Sequence, residues 1–183
     1  MNHEKDLQTL SAEIRECTKC SLTKTRLNAV PGEGSSTARV MFVGEAPGAR
    51  EDESGRPFVG RSGDLLTELI TEIGLSRDDV FITSILKSRP PDNRTPRRNE
   101  IEACLPHLFR QLELINPKYV VLLGGVAISS LIGPWKLSDA HGKFCESDGR
   151  TFFMTYHPAA ALRFPKTKDV MRKDLQILKR ELG

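Results

Sequence analysis

The sequence predicts a three-layer α/β/α sandwich around a four-stranded, largely parallel central sheet. Short hydrophobic segments alternate with amphipathic helical ones, and each short segment is apolar throughout instead of at every second position. Glycine follows two of these segments directly. In chain order, residues 4–16 place Leu7, Leu10 and Ile14 at helical spacing and end at a cysteine pair. Residues 39–43 (RVMFV) read as the first buried strand, with Gly44 behind it. Residues 62–73 carry Leu65, Leu66, Leu69, Ile70 and Ile73 on one helical face, stopped by Gly74. Residues 80–86 (VFITSIL) form the second strand. Thr95 has the chemistry of an N-cap, with Pro96 at the first helical position. That helix runs through Ile101, Leu105, Leu108 and Leu112 to Ile115, before Asn116-Pro117. Residues 119–123 (YVVLL) are the third strand and lead through Gly124-Gly125 into a short helix. Residues 151–155 are the fourth strand, and 168–182 make a closing amphipathic helix.

A chain of 183 residues, 38% hydrophobic and 28% charged, fits one domain over 1–183 with apolar mass for a core. No apolar run approaches the roughly 20 residues that span a bilayer. The polar start MNHEKDLQTL is neither a secretory signal nor an ordinary transit peptide, so a cytoplasmic monomer is expected. Four cysteines do not make a disulfide scaffold, and Cys17-x-x-Cys20 points to metal or redox chemistry. The net charge of +3 announces no nucleic-acid partner by itself. Its distribution says more. Lys87, Arg89, Arg94, Arg97 and Arg98 crowd one stretch, and Arg163, Lys166 and Lys168 another. They are either two solvated loops or a split phosphate-binding surface.

In parallel sheets the ligand sits outside the carboxyl ends of the strands. The loop after the first strand, residues 44–63, is rich in glycine and proline, so its backbone can approach a flat or anionic ligand closely. It matches neither a P-loop nor a dinucleotide fingerprint. Phe58, between Pro57 and Val59, is oddly placed for a lone core aromatic unless it packs against a ligand ring. Glu45 is either a surface acid or a site carboxylate. After the last strand, His157 stands before Pro158 and is either structural or catalytic. The small residues that follow, ending in Leu162-Arg163, suggest a compact protruding loop. Its apolar tip could wedge into a base stack while the arginine meets a phosphate.

These segments together resemble the uracil-DNA glycosylase superfamily, most closely its family-4 iron–sulfur branch. The carriers are C-x-x-C at 17–20, VPGEG at 30–34, VGEAPGAREDESGRPFVGRSGDLL at 43–66, KSRPPDNRTP at 87–96 and YHPAAALR at 156–163. The resemblance implies an enzyme that extrudes uracil from single-stranded or duplex DNA and hydrolyses its glycosidic bond, leaving an abasic site. By that likeness His157 donates to uracil O2 as charge develops, and Glu45 orients or activates the water. Gly44 and Ala46 line the pocket, Phe58 stacks on the base, and Ser84 stands where the base edge is read. Ala161 and Leu162 fill the gap in the duplex, while Arg163, Arg89 and Arg94 meet its backbone. A four-iron four-sulfur cluster is implied at Cys17, Cys20, Cys104 and the position of Ser88.

Two departures from the family stand out. Position 84 usually carries an asparagine, and a serine hydroxyl cannot reproduce its paired amide geometry. Position 88 usually carries a cysteine. Four readings stay open there: Ser88 ligates through oxygen, Cys145 substitutes for it, a three-cysteine cluster forms, or the site is empty. Alternative functions are a non-catalytic damage-binding or polymerase-associated module on the same fold, or a glycosylase of relaxed deaminated-base specificity.

Overall fold

The computed structural model describes residues 3–183; Met1 and Asn2, part of the domain expected over 1–183, lie outside the described residues. The strands are β1 (Glu33–Gly34), β2 (Val40–Gly44), β3 (Phe81–Ser84), β4 (Tyr119–Leu123), β5 (Phe144–Ser147) and β6 (Arg150–Thr155). They form one sheet in the order β1-β3-β2-β4-β6-β5. β2, β3, β4 and β6 are the four expected strands, and they pair in parallel. The sheet has six strands instead of four because an antiparallel strand is added at each edge. β1 is two residues long and carries no periodic signal. β5 returns into β6 through Asp148 (φ 49°) and Gly149 (φ 71°), the left-handed pair that a tight hairpin needs. That Asp-Gly dipeptide was a legible hairpin signal.

Among the described residues eight α-helices surround the sheet: α1 (His3–Glu16), α2 (Ala49–Ser54), α3 (Arg61–Glu72), α4 (Arg98–Ile115), α5 (Gly125–Leu131), α6 (Leu137–Ala140), α7 (Pro158–Arg163) and α8 (Pro165–Leu182). Side chains leave a strand alternately to opposite faces. Met41, Val43, Val120 and Leu122 therefore meet α1, α4, α5 and α6 on one side. Val40, Phe42, Val121 and Leu123 meet α3, α7 and α8 on the other. With both faces covered, the strands are apolar throughout, and the three-layer sandwich follows. On α8 the buried Met171, Leu175 and Leu178 recur at the spacing of a single helical stripe. None of the described helices is long and apolar enough to cross a membrane.

Three local expectations change. α4 begins at Arg98, and Thr95 lies before it on irregular backbone. The Arg97 N–H is held instead by Glu100 Oε2 at 2.8 Å, a carboxylate three residues into the helix. Residues 158–163, expected as a protruding loop, are the helix α7. α8 starts at Pro165 instead of Lys168, since the fixed φ of proline suits the first helical position.

Candidate active site

Glu45 follows β2, Ser84 ends β3 and His157 follows β6, so three carboxyl ends converge. The Ile85 N–H donates to Gly44 O at 2.9 Å and the Leu86 N–H to Glu45 O at 3.0 Å, which prolongs the β2–β3 ladder past the strands. A cavity of about 440 Å³ opens there, with Glu45, Ala46, Phe58, Ser84 and His157 in its walls. Gly44 lies beneath: a Cβ on it would stand 2.6 Å from the Phe58 ring. The expected pocket residues thus share one site.

Phe58 is 7% exposed and adopts φ 48°, a left-handed conformation that bulky residues rarely take. Its surroundings hold it there. Glu51, at the start of α2, accepts the Gly48 N–H on Oε2 at 3.1 Å, and the Val59 and Gly60 N–H groups on Oε1 at 3.0 and 3.2 Å. Arg77 donates to the carbonyls of Phe58 (3.1 Å) and Pro57 (2.8 Å). The ring stands 5.6 Å from the His157 imidazole, centroid to centroid. Sequence reasoning missed Glu51 and Arg77. The spacing Gly48-x-x-Glu51, a helix start with a carboxylate reaching back, was the available signal for the first; nothing local marks the second.

His157 caps α7, its Nδ1 accepting the Ala159 N–H at 3.1 Å. The proton of the neutral ring therefore sits on Nε2. Burial pushes the imidazole pKa down to about 4, against a smaller opposing pull from Glu51. Gly124 (φ +90°), at the end of β4, makes room for it: a Cβ there would meet His157 Cβ at 3.0 Å. Burial also raises the Glu45 carboxyl above its usual value. The cavity thus holds a neutral imidazole donor and a carboxylate with strengthened basicity.

Lys87 is not part of a basic surface. It is 1% exposed, and its Nζ donates to Thr83 Oγ1 (2.5 Å), Ser84 O (2.7 Å) and Gln111 Oε1 (2.8 Å). Burial lowers its pKa to about 7. Its carbonyl accepts the Val30 N–H at 2.7 Å, and Val30 is itself a wall of the cavity. Lys87 therefore braces two sides of the pocket from behind.

The residues expected on DNA separate into two groups. Leu162 (41% exposed) and Arg163 face solvent. Ala161 does not: at 4% exposed it packs in the core with α3 and α8 and supports α7 from below. Arg94 lines the cavity mouth, but its guanidinium grips the buried Glu100 carboxylate through both terminal nitrogens, at 2.9 and 2.6 Å. Arg89 is half-buried, its Nε donating to Asn93 Oδ1 at 2.8 Å. Of the other expected cations, Arg98 pairs with Glu102 and Lys168 with Glu68.

Cys104 is buried on α4, and its thiol is raised by burial, with Cys20 and Cys17 adding to the shift from nearby. Its sulfur accepts the Lys87 N–H at 3.3 Å. Cys17 Sγ lies 3.3 Å from His107 Nε2. Arg26 joins the fourth position to this group, donating to Ser88 Oγ at 2.8 Å and to Cys17 O at 2.9 Å. Among the described residues no three Cys, His, Asp or Glu side chains are gathered into a single-ion set. Cys17 and Cys20 both act on the Cys104 thiol, and three such thiolates would supply three ligands of an iron–sulfur cluster. At the position of the fourth ligand the chain offers the Ser88 oxygen in place of a thiolate. Cys145 cannot replace it: it lies on edge strand β5, four strand spacings from β3, or roughly 19 Å.

A parallel sheet with a half-buried histidine and a glutamate at its carboxyl edge, an aromatic ring held beside the histidine and a short helix carrying an apolar residue beside an arginine define a class. The profile of the uracil DNA glycosylase superfamily matches residues 31–179, and the chain belongs to that superfamily. Similar proteins include the Type-4 uracil-DNA glycosylase of Pyrobaculum aerophilum, 50% identical over 93% of this chain and 91% of the relative. The Type-4 enzyme of Saccharolobus solfataricus is 47% identical over 97% and 87%, and that of Sulfurisphaera tokodaii 44% over 97% and 84%.

Proposed function

We propose that this chain is a DNA-repair hydrolase that extrudes uracil from DNA and cleaves its N-glycosidic bond, leaving an abasic site. The observation that carries this reading is the neutral His157, with its Nε2 proton available in a cavity that also holds Glu45 and Phe58. As the bond to the sugar breaks, negative charge gathers on the base, and a preorganised N–H donor lowers that barrier without reorganisation. Phe58 offers a fixed ring face for the base, and the Ser84 hydroxyl reads its edge. Glu45, with basicity raised by burial, takes the proton of the attacking water. Leu162 replaces the extruded nucleotide, and Arg163 and Arg89 hold phosphates.

An iron–sulfur cluster at Cys17, Cys20 and Cys104 belongs to this reading, with Ser88 at the fourth corner. When bound, it would cross-link the segment after α1 to α4, away from the proton transfers. The reading also carries a monomer working in the cytoplasm. It is tested by incubating the purified protein with single-stranded and U:G duplex oligonucleotides and scoring free uracil and alkali-labile strands. Uracil release without added nucleotide or metal is expected. No release from any dU substrate across pH 5–9, with DNA still bound, would favour the damage-binding alternative.

A further inference from the structure

Two large apolar side chains, Leu162 and Phe164, are exposed at the end of α7, the helix that His157 of the cavity wall caps, and the proposed function uses only one of them. Phe164 is 59% exposed, more than Leu162, and sits between α7 and α8. Its backbone is pinned from both directions: the N–H donates to Ala160 O at 2.8 Å and the carbonyl accepts the Thr167 N–H at 2.9 Å. Pro165 follows and further restricts it to its extended conformation (φ −126°, ψ 98°). The ring is therefore presented to solvent from a rigid base, so that binding there sacrifices little backbone entropy. Arg163 and Lys166 beside it are exposed and, among the described residues, make no hydrogen bond or ion pair. Lys168 is drawn away to Glu68 at 3.0 Å.

An apolar ring flanked by two uncommitted cations matches a nucleic-acid strand, with the ring on a base face and the charges on phosphates. Distance agrees. α7 separates Phe164 from His157 by six residues, about 9 Å of helix, or two to three base steps of about 3.4 Å. We propose that Phe164 is a stacking platform for a base flanking the extruded nucleotide, a second apolar contact beside Leu162. The inference rests on the glycosylase reading, which supplies the DNA strand.

The test uses the full chain and a labelled single strand bearing a non-hydrolysable abasic analogue, with 2-aminopurine placed in turn at each flanking position. Wild type should quench 2-aminopurine at one flank. Phe164→Ala should lose that quenching and bind roughly tenfold more weakly, within the range of stacking losses per base. Phe164→Tyr should restore both. Arg163→Gln should lower the salt slope of binding by about one, whereas Phe164→Ala should leave it unchanged. Unchanged affinity and quenching in Phe164→Ala would overturn the inference. Because the analogue requires no catalysis, a wild type that releases no uracil defeats the glycosylase reading alone, and loss of the stack in Phe164→Ala still supports the platform.

Discussion

In the proposed reaction His157 and Glu45 would divide their work by protonation state, and burial shifts both. A neutral imidazole donates through Nε2 at any pH above its value of about 4, so His157 does not limit the reaction near neutrality. Glu45 must be ionised to take a proton, and its value is raised. The expected kcat/KM therefore falls as pH drops through the raised Glu45 value, before His157 begins to charge. Glu45→Gln should abolish that acid limb, leaving a low, flat profile; a limb that survives would assign it elsewhere. His157→Ala should lower kcat by about 100- to 1000-fold, the loss of one anion-stabilising donor, while DNA affinity, set by phosphates, stays close to wild type. Equal losses in both would make the histidine structural. Ser84 is 6% exposed in the pocket wall. A lone hydroxyl leaves few partners unpaired when a related base enters, whereas an amide leaves more. Ser84→Asn should raise the preference for uracil over hypoxanthine, measured as a ratio of kcat/KM values. An unchanged ratio would show that backbone groups do the reading.

At the scale of elements, the pocket depends on how closely α3 approaches the Phe58 segment. Gly63, in the first turn of α3, allows that approach: a Cβ there would sit 1.9 Å from Phe58 O and 2.1 Å from its carbonyl carbon. Two effects compete in Gly63→Ala. Helix propensity alone favours alanine by about 1 kcal/mol. A clash with backbone, which cannot swing aside as a side chain can, costs about 1–3 kcal/mol and displaces Phe58. The clash should win, giving a lower urea midpoint at unchanged m-value together with reduced activity. A stabilised variant would show that the Phe58 segment yields freely. Glu51 works at the same scale, since one carboxylate joins α2 to the chain on both sides of Phe58.

Across the whole molecule, two apolar cores flank the sheet, and α1 is attached at the periphery. Its Leu10 and Ile14 pack with Ala29 and Leu114 in a small separate cluster. The segment after α1 is held to the chain beyond β3 by Arg26, which donates to Ser88, and to α4 by the contact of Cys17 with His107. Completing a fourth thiol should strengthen that attachment. Ser88→Cys, purified anaerobically, is expected to carry more iron and sulfide per chain than wild type and to absorb more strongly near 400 nm. Equal iron contents would show that the Ser88 oxygen already serves the fourth corner, or that no cluster is held.

Much of this architecture was legible in the sequence. Four continuous apolar runs and four helical stripes are local signals, and they translate directly into a covered parallel sheet. The strand-end position of Glu45 and His157 followed from the same pattern, because parallel strands gather their carboxyl ends on one side. Other features depended on neighbours far along the chain. Lys87 looks like Arg89 in the sequence, yet only Lys87 finds Thr83, Ser84 and Gln111 in place to receive its three N–H groups. Ala161 and Leu162 are adjacent apolar residues, and the packing of α7 on α3 and α8 decides which one faces solvent. Cys145 was excluded from the thiol group by its place in the strand order. A sequence records which side chains are apolar and at what period; which polar groups find buried partners is decided when distant segments close around them.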